Sequence, residues 1–449
     1  MTTLRIYTAE EARQTVLRRR PPADEAPPPA VAGRIREVFG QDLGPAEVVR
    51  RIVDAVRREG DAAIRRVTEL LDGYRPEALE VSAAEVRAAA EGLEPQLVEG
   101  LKLAAERVRA FHQRQVRTGW VDFAAGLGQL IRPLDRVGVY VPGGQGRYPS
   151  TVLMTVIPAK VAGVKEVIVC TPPGPDGRVA PVVLAACALA GADRVFRVGG
   201  AQAIAAMAFG TESIPAVDKI VGPGGLFVTL AKQALYGQVG IDLLAGPSEA
   251  LAIADRFADP EVCAADLIAQ AEHDPLATSV LVTDSAELAR AVQAAVERRL
   301  DRLPNAETAR ASLARRGGII LVEDLEAALE LANEFGPEHL ELAVRDPWSL
   351  LGKVRNCGAV FLGESAPHVA GDYVAGPSHV LPTGGTARWA SGLRTEDFYK
   401  VISVVAIDRL TLAEVGPAAV AIARAEGFEA HAQSVEIRLK EAPHEAASG

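Results

Sequence analysis

The sequence is short of cysteine and of long apolar runs, and both shortages exclude classes of protein. Only four cysteines occur in 449 residues, and none has the C-x-x-C spacing of a thiolate zinc site or a redox pair. We expect reduced cysteines buried beside apolar neighbours. The N-terminus lacks the apolar core of a signal peptide, and no later stretch approaches the ~20 apolar residues of a membrane span. These absences predict a cytoplasmic protein with no membrane partner.

Positive charge is also in deficit. The chain has 48 Lys and Arg against 58 Asp and Glu, so its formal net charge is −10. Because phosphate binding needs a basic face, this balance argues against nucleic acid as a partner. The hydrophobic share of 49% and the charged share of 24% are ordinary for a soluble globular protein. The length predicts at least two hydrophobic cores.

The first third of the chain combines an arm, a linker and helices. Residues 18–30 cluster arginine and proline, so we expect residues 1–30 to form an N-terminal arm and an extended linker. Residues 31–135 are largely helical, because apolar residues recur there at steps of three and four. We expect this helical region to join residues 250–382 in a first α/β domain.

Strands and helices alternate over the rest of the chain. Residues 136–249 contain apolar strands such as RVGVYVPGG and EVIVCTPP, each followed by a helical segment, and we expect them to form the second α/β domain. Continuous β-branched runs between apolar helices predict parallel sheets that are covered on both faces. Residues 383–449 form a looser tail, with a strand KVISVVAI, a helix from Leu412 and a last strand SVEIRL.

Polar side chains that suit a metal or catalytic site are concentrated in four short segments. Four of the seven histidines lie in these segments, together with carboxylates and an amide. Polar clusters at the ends of different elements are typical of a folded metal or catalytic site. The segments are QAEHDP from Gln270, GPEHLEL from Gly336, GDYVAGPSHVLPTGG from Gly371 and EGFEAH from Glu426.

Taken singly, the candidate metal ligands also have structural interpretations. Gln270 and His273 are three apart in a helical pattern and project from one face, but His273 alone resembles a helix-end histidine. Asp372 follows a glycine, as turn-forming aspartates do, and His431 alone is unremarkable. Amide, imidazole and carboxylate ligands without cysteine form a set that suits zinc.

Two further features suit catalysis or cofactor binding, but neither is sufficient evidence by itself. Glu338 and His339 are adjacent at the head of a predicted strand, where they form either an acid–base couple or a solvated surface pair. The turns VPGGQGR, VGGAQA and GPGG follow strands and precede helices, so their backbone could approach a pyrophosphate. None of them is a G-x-G-x-x-G fingerprint, and the dinucleotide signal from these turns alone is weak.

Ten segments of the chain resemble those of histidinol dehydrogenases, and they follow one another in the same order and at the same spacing. The resemblance implies two incomplete Rossmann-like, doubly wound α/β domains with small terminal arms. It also implies an intertwined homodimer, in which a C-terminal segment reaches the partner's site. The matching segments are YVPGG, STVLM, GGAQAIAA, AFGTE, VDKIVGPG, AGPSE, LIAQAEHDP, PEHLEL, GDYVAGPSHVLPTGGTAR and EGFEAHAQSV.

The same resemblance implies an activity and a set of site residues. It implies a zinc- and NAD-dependent enzyme that oxidises L-histidinol to L-histidine through bound L-histidinal, the last step of histidine biosynthesis. His339 is then the base and Glu338 activates water. The implied zinc ligands are Gln270, His273, Asp372 and His431.

Contacts to the two organic ligands follow from the same resemblance. The implied NAD contacts lie in the second α/β domain, at Tyr140, Gln202 and Gly225. Gly225 is a departure, because the family usually has asparagine there, and glycine keeps the backbone contact but loses the amide. The implied substrate contacts are Ser248, Gln270, His273, His339, Asp372, His379, Glu426 and His431.

Other functions remain open at this point. A paralogous zinc- and NAD-dependent dehydrogenase would act on a sulfonated diol or another amino-alcohol through the same zinc site. A zinc hydrolase would use the same ligand types with a glutamate base, but it has no use for the long parallel-sheet region and its glycine turns. A metal-binding protein without catalytic activity is the third alternative.

Overall fold

Two six-stranded sheets and one three-stranded sheet organise the chain. The computed structural model describes residues 4–19, 33, 36, 43–143, 146–304 and 306–440. The strands are β1 (Ile6–Thr8), β2 (Glu80–Val81), β3 (Trp120–Asp122), β4 (Leu127–Pro133), β5 (Arg136–Tyr140), β6 (Glu166–Thr171), β7 (Arg194–Arg197), β8 (Lys219–Val221), β9 (Gly240–Ile241), β10 (Glu249–Ala254), β11 (Thr278–Thr283), β12 (Gly317–Leu321), β13 (His339–Ala343), β14 (Ala359–Leu362) and β15 (Tyr399–Val405).

Helices separate most of these strands. Two short 3₁₀ helices, Thr386–Arg388 and Thr395–Phe398, precede β15. The α-helices are α1 (Ala9–Gln14), α2 (Pro45–Glu59), α3 (Asp61–Asp72), α4 (Ala83–Ala88), α5 (Pro95–Gln113), α6 (Pro149–Val161), α7 (Pro181–Ala190), α8 (Gly200–Phe209), α9 (Leu226–Leu235), α10 (Pro260–Ala271), α11 (Ala286–Leu300), α12 (Glu307–Arg316), α13 (Leu325–Phe335), α14 (Pro347–Leu351), α15 (His368–Tyr373), α16 (Arg409–Ala425) and α17 (Glu429–Lys440).

The two six-stranded sheets have the same strand order. Sheet 1 runs β1-β12-β11-β10-β13-β14, and all its strand pairs are parallel. Sheet 2 runs β2-β7-β6-β5-β8-β9 and is parallel except at β2. Apart from the outer strands β1 and β2, each sheet has five parallel strands, and counted from β10 in sheet 1 and from β5 in sheet 2 these follow the order 3-2-1-4-5 of a doubly wound fold. The predicted fold class of two Rossmann-like domains is confirmed.

The helical region after residue 43 packs on sheet 2. Val48 and Ile52 of α2 and Ile64 of α3 share one buried cluster with Ile204 of α8 and Val228 of α9. The antiparallel strand β2 adds to the edge of the same sheet at β7. The prediction that residues 31–135 join residues 250–382 is therefore wrong for these helices. Their apolar periodicity identifies a buried face, but it does not say which sheet that face covers.

The N-terminal arm belongs to sheet 1. Strand β1 pairs in parallel with β12 at the sheet edge. Leu4 is buried in the core on one face of the sheet, and Ala12 of α1 is buried in the core on the other face. Residues 4–19 of the predicted arm are thus an integral part of the first α/β domain. Residues 20–30 of the predicted linker lie outside the described residues.

The residues of the chain form two compact units, each with most of its contacts within itself. One unit holds Met1–Val116 and Leu134–Phe398, and the other holds Arg117–Pro133 and Tyr399–Gly449. The second unit contains the antiparallel sheet β15-β4-β3, with β15 paired to β4 along seven residues, and helices α16 and α17. The predicted tail therefore starts at Tyr399, not at residue 383, and it includes β3 and β4 from earlier in the chain.

The predicted last strand, SVEIRL, is helical. It lies within α17, where Val435 and Leu439 are four residues apart and both approach Gly416 of α16. Side chains at that spacing share one helix face, so the two helices pack as a pair. The alternation of apolar and polar residues suggested a strand, but packing against α16 decided the conformation.

The described helices and cysteines bear on two predictions from composition. No described helix is both long and apolar enough to cross a membrane. Cys170, Cys187 and Cys263 are buried and Cys357 is half-buried, and all four are free thiols. Burial raises the pKa of the Cys263 thiol to about 12, which keeps that thiol protonated and unreactive.

Candidate active site

Glu338 and His339 lie at the amino end of β13 in sheet 1. His339 is the first residue of the strand and pairs with Ala250 of β10. Both side chains are buried, so the pair is not a solvated surface pair. The Glu249 N–H donates to Glu338 Oε2 at 2.9 Å, and His339 Nδ1 lies 3.3 Å from the Glu249 carbonyl oxygen. The backbone of one residue at the start of β10 therefore holds both side chains.

The burial of this pair changes its acid–base properties. Burial raises the pKa of Glu338 to about 7, and the attraction of His339 opposes that rise only partly. Burial lowers the pKa of His339, but the carboxylates of Glu338 and Asp372 outweigh that effect and raise it to about 9. Large shifts in the pKa of buried side chains are typical of catalytic groups.

Asp372 and His379 meet the same pair from the segment after sheet 1. Asp372 Oδ1 lies 3.5 Å from His339 Nε2. His379 Nδ1 lies 2.9 Å from the Asp372 carbonyl oxygen, and His379 Nε2 lies 3.2 Å from Thr151 Oγ1 on α6. A carbonyl oxygen can only accept, so Nδ1 donates and Nε2 accepts from the threonine hydroxyl. Through Thr151, this histidine joins the site to the domain of sheet 2.

Gln270 has the clearest sign of a ligand role. It lies at the end of α10 and is fully buried, yet neither amide atom has a hydrogen-bond partner among the described residues. A buried amide without partners is costly, and native proteins keep such groups where a function needs them. His273 follows just after the helix ends and is exposed. Helix α10 packs against α15, which carries Asp372.

These residues fit a zinc ion by their donor chemistry. Gln270 offers an amide oxygen, His273 an imidazole and Asp372 a carboxylate, while burial raises the pKa of all four cysteine thiols and so disfavours a thiolate ligand. Electrostatic interactions link His273 to both Asp372 and His339. The set of amide, imidazole and carboxylate suits a borderline metal such as zinc.

A second group of metal-competent side chains lies behind this site. Oxygen and nitrogen atoms of Asp266, Glu341 and His368 all lie within 4.8 Å of one another. Glu341 Oε1 accepts from the His368 backbone N–H at 2.9 Å, and it lies 2.8 Å from His368 Nδ1. The His368 ring is 5.4 Å from the ring of His339. Sequence analysis did not include His368 among the candidate site residues.

This rear group repeats the arrangement of the front residues on the same three elements. Asp266 lies one helical turn before Gln270 on α10, and His368 lies one turn before Asp372 on α15. Glu341 follows His339 by two residues on β13 and points to the same face. The rear group therefore forms a polar layer beneath the candidate site.

The predicted NAD contacts gather at the carboxyl ends of sheet 2. Tyr140 ends β5, and its hydroxyl oxygen accepts the Gly200 N–H at 3.1 Å, at the start of α8. Gln202 lies in the first turn of the same helix, buried, and its Oε1 has no hydrogen-bond partner within the described chain. Gly225 caps α9 in an extended conformation and is exposed. An unpaired acceptor beside helix N-termini fits a dinucleotide with hydroxyl and amide donors.

The remaining predicted residues divide between the two units. Ser248 directly precedes β10, and its carbonyl oxygen accepts the Thr278 N–H at 2.9 Å. Glu426 ends α16 and His431 lies in the first turn of α17, both exposed, with the His431 ring 5.1 Å from that of Phe428. Glu426 and His431 belong to the second unit, whereas the other predicted site residues belong to the first.

Comparison with known proteins identifies the family. The histidinol dehydrogenase family model matches residues 41–439. The chain belongs to the histidinol dehydrogenase family. Histidinol dehydrogenase of Deinococcus radiodurans is 54% identical over 417 residues, which cover 92% of this chain and 95% of that protein. The enzyme of Thermus thermophilus is 50% identical over 437 residues, which cover 96% of this chain and all of that protein.

A solved structure from the histidinol dehydrogenase family has the same fold. The crystal structure of histidinol dehydrogenase from Elizabethkingia anophelis matches with a TM-score of 0.89 and 33% identity, over 98% of this chain and 99% of that one. The family resemblance and the fold class predicted from sequence are thereby confirmed. Two site residues that sequence reasoning missed are Glu249 and Thr151. The adjacent segments AGPSE and STVLM were the available signals for them.

Proposed function

We propose that this member of the histidinol dehydrogenase family oxidises L-histidinol to L-histidine with NAD, the last step of histidine biosynthesis. Family membership makes the chain an NAD-dependent oxidoreductase. Oxidation of an alcohol to an acid removes two hydrides, so bound L-histidinal separates two hydride transfers. The observation that carries the proposal is the buried Glu338–His339 pair, which the backbone of Glu249 holds. The buried Gln270 amide, which has no hydrogen-bond partner among the described residues, supports it.

His339 is the proposed base for both hydride transfers. Its Nδ1 faces the Glu249 carbonyl oxygen, which can only accept, so in the neutral ring Nδ1 carries the proton. Nε2 is then the atom that accepts the substrate's hydroxyl proton. Loss of that proton as hydride leaves for NAD yields the aldehyde, and the same atom serves again when the hydrated aldehyde is oxidised.

Glu338 is the proposed base that activates water. One carboxylate oxygen accepts the Glu249 N–H, which leaves the other oxygen to accept a proton from water. The raised pKa of about 7 gives the ionised carboxylate more basicity than an exposed glutamate has. Water that loses its proton to Glu338 attacks the aldehyde and forms the hydrate needed for the second oxidation.

Gln270, His273, Asp372 and His431 are the proposed zinc ligands. When bound, zinc would supply a fixed positive charge that holds and orients the amine and imidazole of the substrate. The rear group of Asp266, Glu341 and His368 is the less suitable set, since Glu341 Oε1 already accepts two hydrogen bonds from His368.

Other side chains are proposed to orient the two organic ligands. Tyr140, Gln202 and Gly225 hold NAD at the carboxyl ends of sheet 2; Gln202 Oε1, which has no hydrogen-bond partner within the described chain, supports this. The proposed contacts to L-histidinol are Ser248, Gln270, His273, His339, Asp372, His379, Glu426 and His431. The Asp372 carbonyl oxygen and the Thr151 hydroxyl engage the two nitrogens of His379 and support a neutral imidazole; in the proposed complex the substrate replaces the Thr151 hydroxyl at Nε2.

A homodimer with shared sites is the proposed assembly. The second unit supports it, because its sheet leaves large apolar side chains exposed, among them Trp120, Val401 and Val405. Exposed apolar surface of this kind is typical of association sites. In the proposed dimer the tail of one subunit brings His431 and Glu426 to the site of the other, where Glu426 meets the substrate ammonium. A cytoplasmic location remains a prediction.

Refolding two inactive variants together tests the shared site. Gln270→Ala and His431→Ala are each expected to be inactive and to bind well below one zinc per subunit. If the ligands come from two chains, half of the refolded dimers are mixed, and half of the sites in those dimers hold only unmutated ligands. About a quarter of the wild-type NADH formation from L-histidinol should then return.

A matched mixture controls for nonspecific recovery. Gln270→Ala refolded with His273→Ala changes two ligands from the same unit, so every site keeps a mutation and the mixture should stay inactive. Inactivity of the Gln270→Ala and His431→Ala mixture as well would exclude the crossing tail. Normal zinc content in the single variants would exclude the ligand assignment.

A further inference from the structure

Arg19 of the N-terminal segment reaches the amino ends of β10 and β13 in sheet 1, where Glu338 and His339 lie. Its Nη1 and Nη2 donate to the two carboxylate oxygens of Glu249, Nη2 at 3.0 Å. Its guanidinium carbon lies 3.7 Å from the centroid of the Phe335 ring. Arg19 therefore combines a two-point ion pair with a stacking contact, a geometry that only the planar guanidinium provides.

The partner of Arg19 is the residue whose backbone holds the catalytic pair. Glu249 begins β10 and is almost fully buried. Its N–H donates to Glu338 Oε2 at 2.9 Å, and its carbonyl oxygen lies 3.3 Å from His339 Nδ1. A rotation of this residue would move both side chains at once. Its carboxylate is fixed by Arg19 on one side and by the Gly384 N–H, at 3.2 Å, on the other.

Arg19 also fixes the backbone that leads into Glu338. Nη2 donates to the Phe335 carbonyl oxygen at 2.8 Å and lies 3.4 Å from the Gly336 carbonyl oxygen. Helix α13 ends here, and Gly336 has a positive φ of 62°, so the chain turns tightly and enters β13 three residues later, at His339. The guanidinium thus connects the entrances of β10 and β13, the two strands that carry the catalytic pair and its support.

We propose that Arg19 is a positioning residue for the oxidation, which acts through Glu249 and the Phe335–Gly336 turn on Glu338 and His339. The proposal rests on the catalytic roles given to Glu338 and His339. Arg19 touches neither the substrate nor NAD in this scheme. Its loss leaves a buried carboxylate without its cation, and such a group rearranges or draws in water. The catalytic side chains then lose their fixed geometry, although every catalytic group is still present.

The test compares substitutions at two arginines of the same segment. Arg19→Ala should lower kcat for L-histidinol by ~10-fold to 100-fold, because small displacements of catalytic groups have effects of that size. The KM for NAD should be unchanged, since the NAD contacts lie on sheet 2. Arg13→Ala is the matched control. It breaks the exposed ion pair of Arg13 Nε with Glu334 Oε2, 2.9 Å apart, also on α13, and it should leave kcat at the wild-type value.

Two further variants separate positioning from loss of fold. Arg19→Lys keeps the charge without the two-point fork, so it should fold normally and show an intermediate kcat. Adding Glu249→Gln to Arg19→Ala should lower kcat no further than Arg19→Ala alone, because residues that act through one another are not additive.

The outcomes distinguish this inference from the proposed function. A kcat for Arg19→Lys equal to that of the wild type, or equal losses for Arg19→Ala and Arg13→Ala, would overturn the positioning role while wild-type oxidation of L-histidinol still stands. Additive losses in the double variant would show that Arg19 does not act through Glu249. Absence of L-histidinol oxidation in the wild type would instead overturn the proposed function.

Discussion

Sheets 1 and 2 share a strand order, but the candidate site uses the amino ends of the strands in sheet 1 and the carboxyl ends of the strands in sheet 2. We call these two ends the amino edge and the carboxyl edge. In sheet 2 the predicted NAD residues lie at carboxyl ends, with Tyr140 at the end of β5 and Gly225 after β8. In sheet 1 the proposed acid–base pair lies at amino ends, where His339 begins β13 and Glu249 begins β10. In both sheets the site lies where the strand order reverses.

The two edges differ in the helix ends that they present. Helices α8 and α9 begin at the carboxyl ends of the strands in sheet 2, so free N–H groups and partial positive charge there suit the pyrophosphate of the proposed NAD. Helices α10 and α13 end at the amino edge of sheet 1, beside Gln270 and before Glu338. Free carbonyl groups and partial negative charge there favour a metal cation and a substrate ammonium. One topology therefore supplies an anion-binding edge and a cation-binding edge.

The largest expected effects come from the proposed catalytic pair, Glu338 and His339, at the amino ends of the strands in sheet 1. Glu338→Gln should spare the oxidation of L-histidinol to the aldehyde and slow aldehyde oxidation by about 10²-fold to 10⁴-fold, because water loses its base. His339→Asn should slow both half-reactions by a similar factor. Each half-reaction is followed by NADH formation, starting from L-histidinol or from L-histidinal.

NAD affinity provides the control at the other edge. Neither substitution should change NAD binding measured by calorimetry, since the proposed NAD residues lie on sheet 2. Equal losses in both half-reactions for both variants would contradict the separate roles. A large loss of NAD affinity in either variant would show that the two edges do not divide chemistry from cofactor binding.

The pH dependence should also differ between the two edges. In the proposed scheme, aldehyde oxidation needs an ionised Glu338, with a pKa of about 7, and a neutral His339, with a pKa of about 9, so its rate should rise with pH through both values. Alcohol oxidation should rise through about 9, where His339 becomes neutral. On sheet 2, burial raises the pKa of Tyr140 to about 12, so NAD affinity should stay flat between about pH 6 and 9. Retention of the lower inflection in Glu338→Gln would assign it to another group.

The sequence predicted local chemistry better than it predicted which elements pack together. The apolar runs of the parallel strands are a local property, so the two sheets could be predicted. The zinc ligand set came from the family resemblance, because Gln270 and Asp372 taken singly also have structural interpretations, and it stays a prediction. The domain to which α2 and α3 belong depends on which apolar faces meet in space, and so does the helical state of SVEIRL. A single sequence contains no record of those contacts.

The ion pair between Arg19 and Glu249 is another contact that could not be predicted from the sequence. Arg19 and Glu249 are separated by 230 positions, and neither has a local pattern that marks it. Sequence reasoning treated Arg19 as part of a proline-rich linker, because its neighbours Pro21 and Pro22 lie in a polar stretch. Its ion pair exists only because β1 joins the edge of sheet 1 and carries the following segment along α13.

The smallest expected effect comes from Gly225 at the carboxyl edge of sheet 2. The family resemblance places asparagine at this position. A side chain can be added there without strain, because φ is −70° and ψ is −178°, and a Cβ would meet no atom within 4 Å. Gly225→Asn should therefore fold normally and lower the KM for NAD by about 2-fold to 10-fold, the range of one added hydrogen bond. Gly225→Ala adds the Cβ without the amide and should leave KM unchanged. An equal change in both variants would assign the effect to backbone stiffening, and no change in Gly225→Asn would mean that NAD here does not pass within reach of this position.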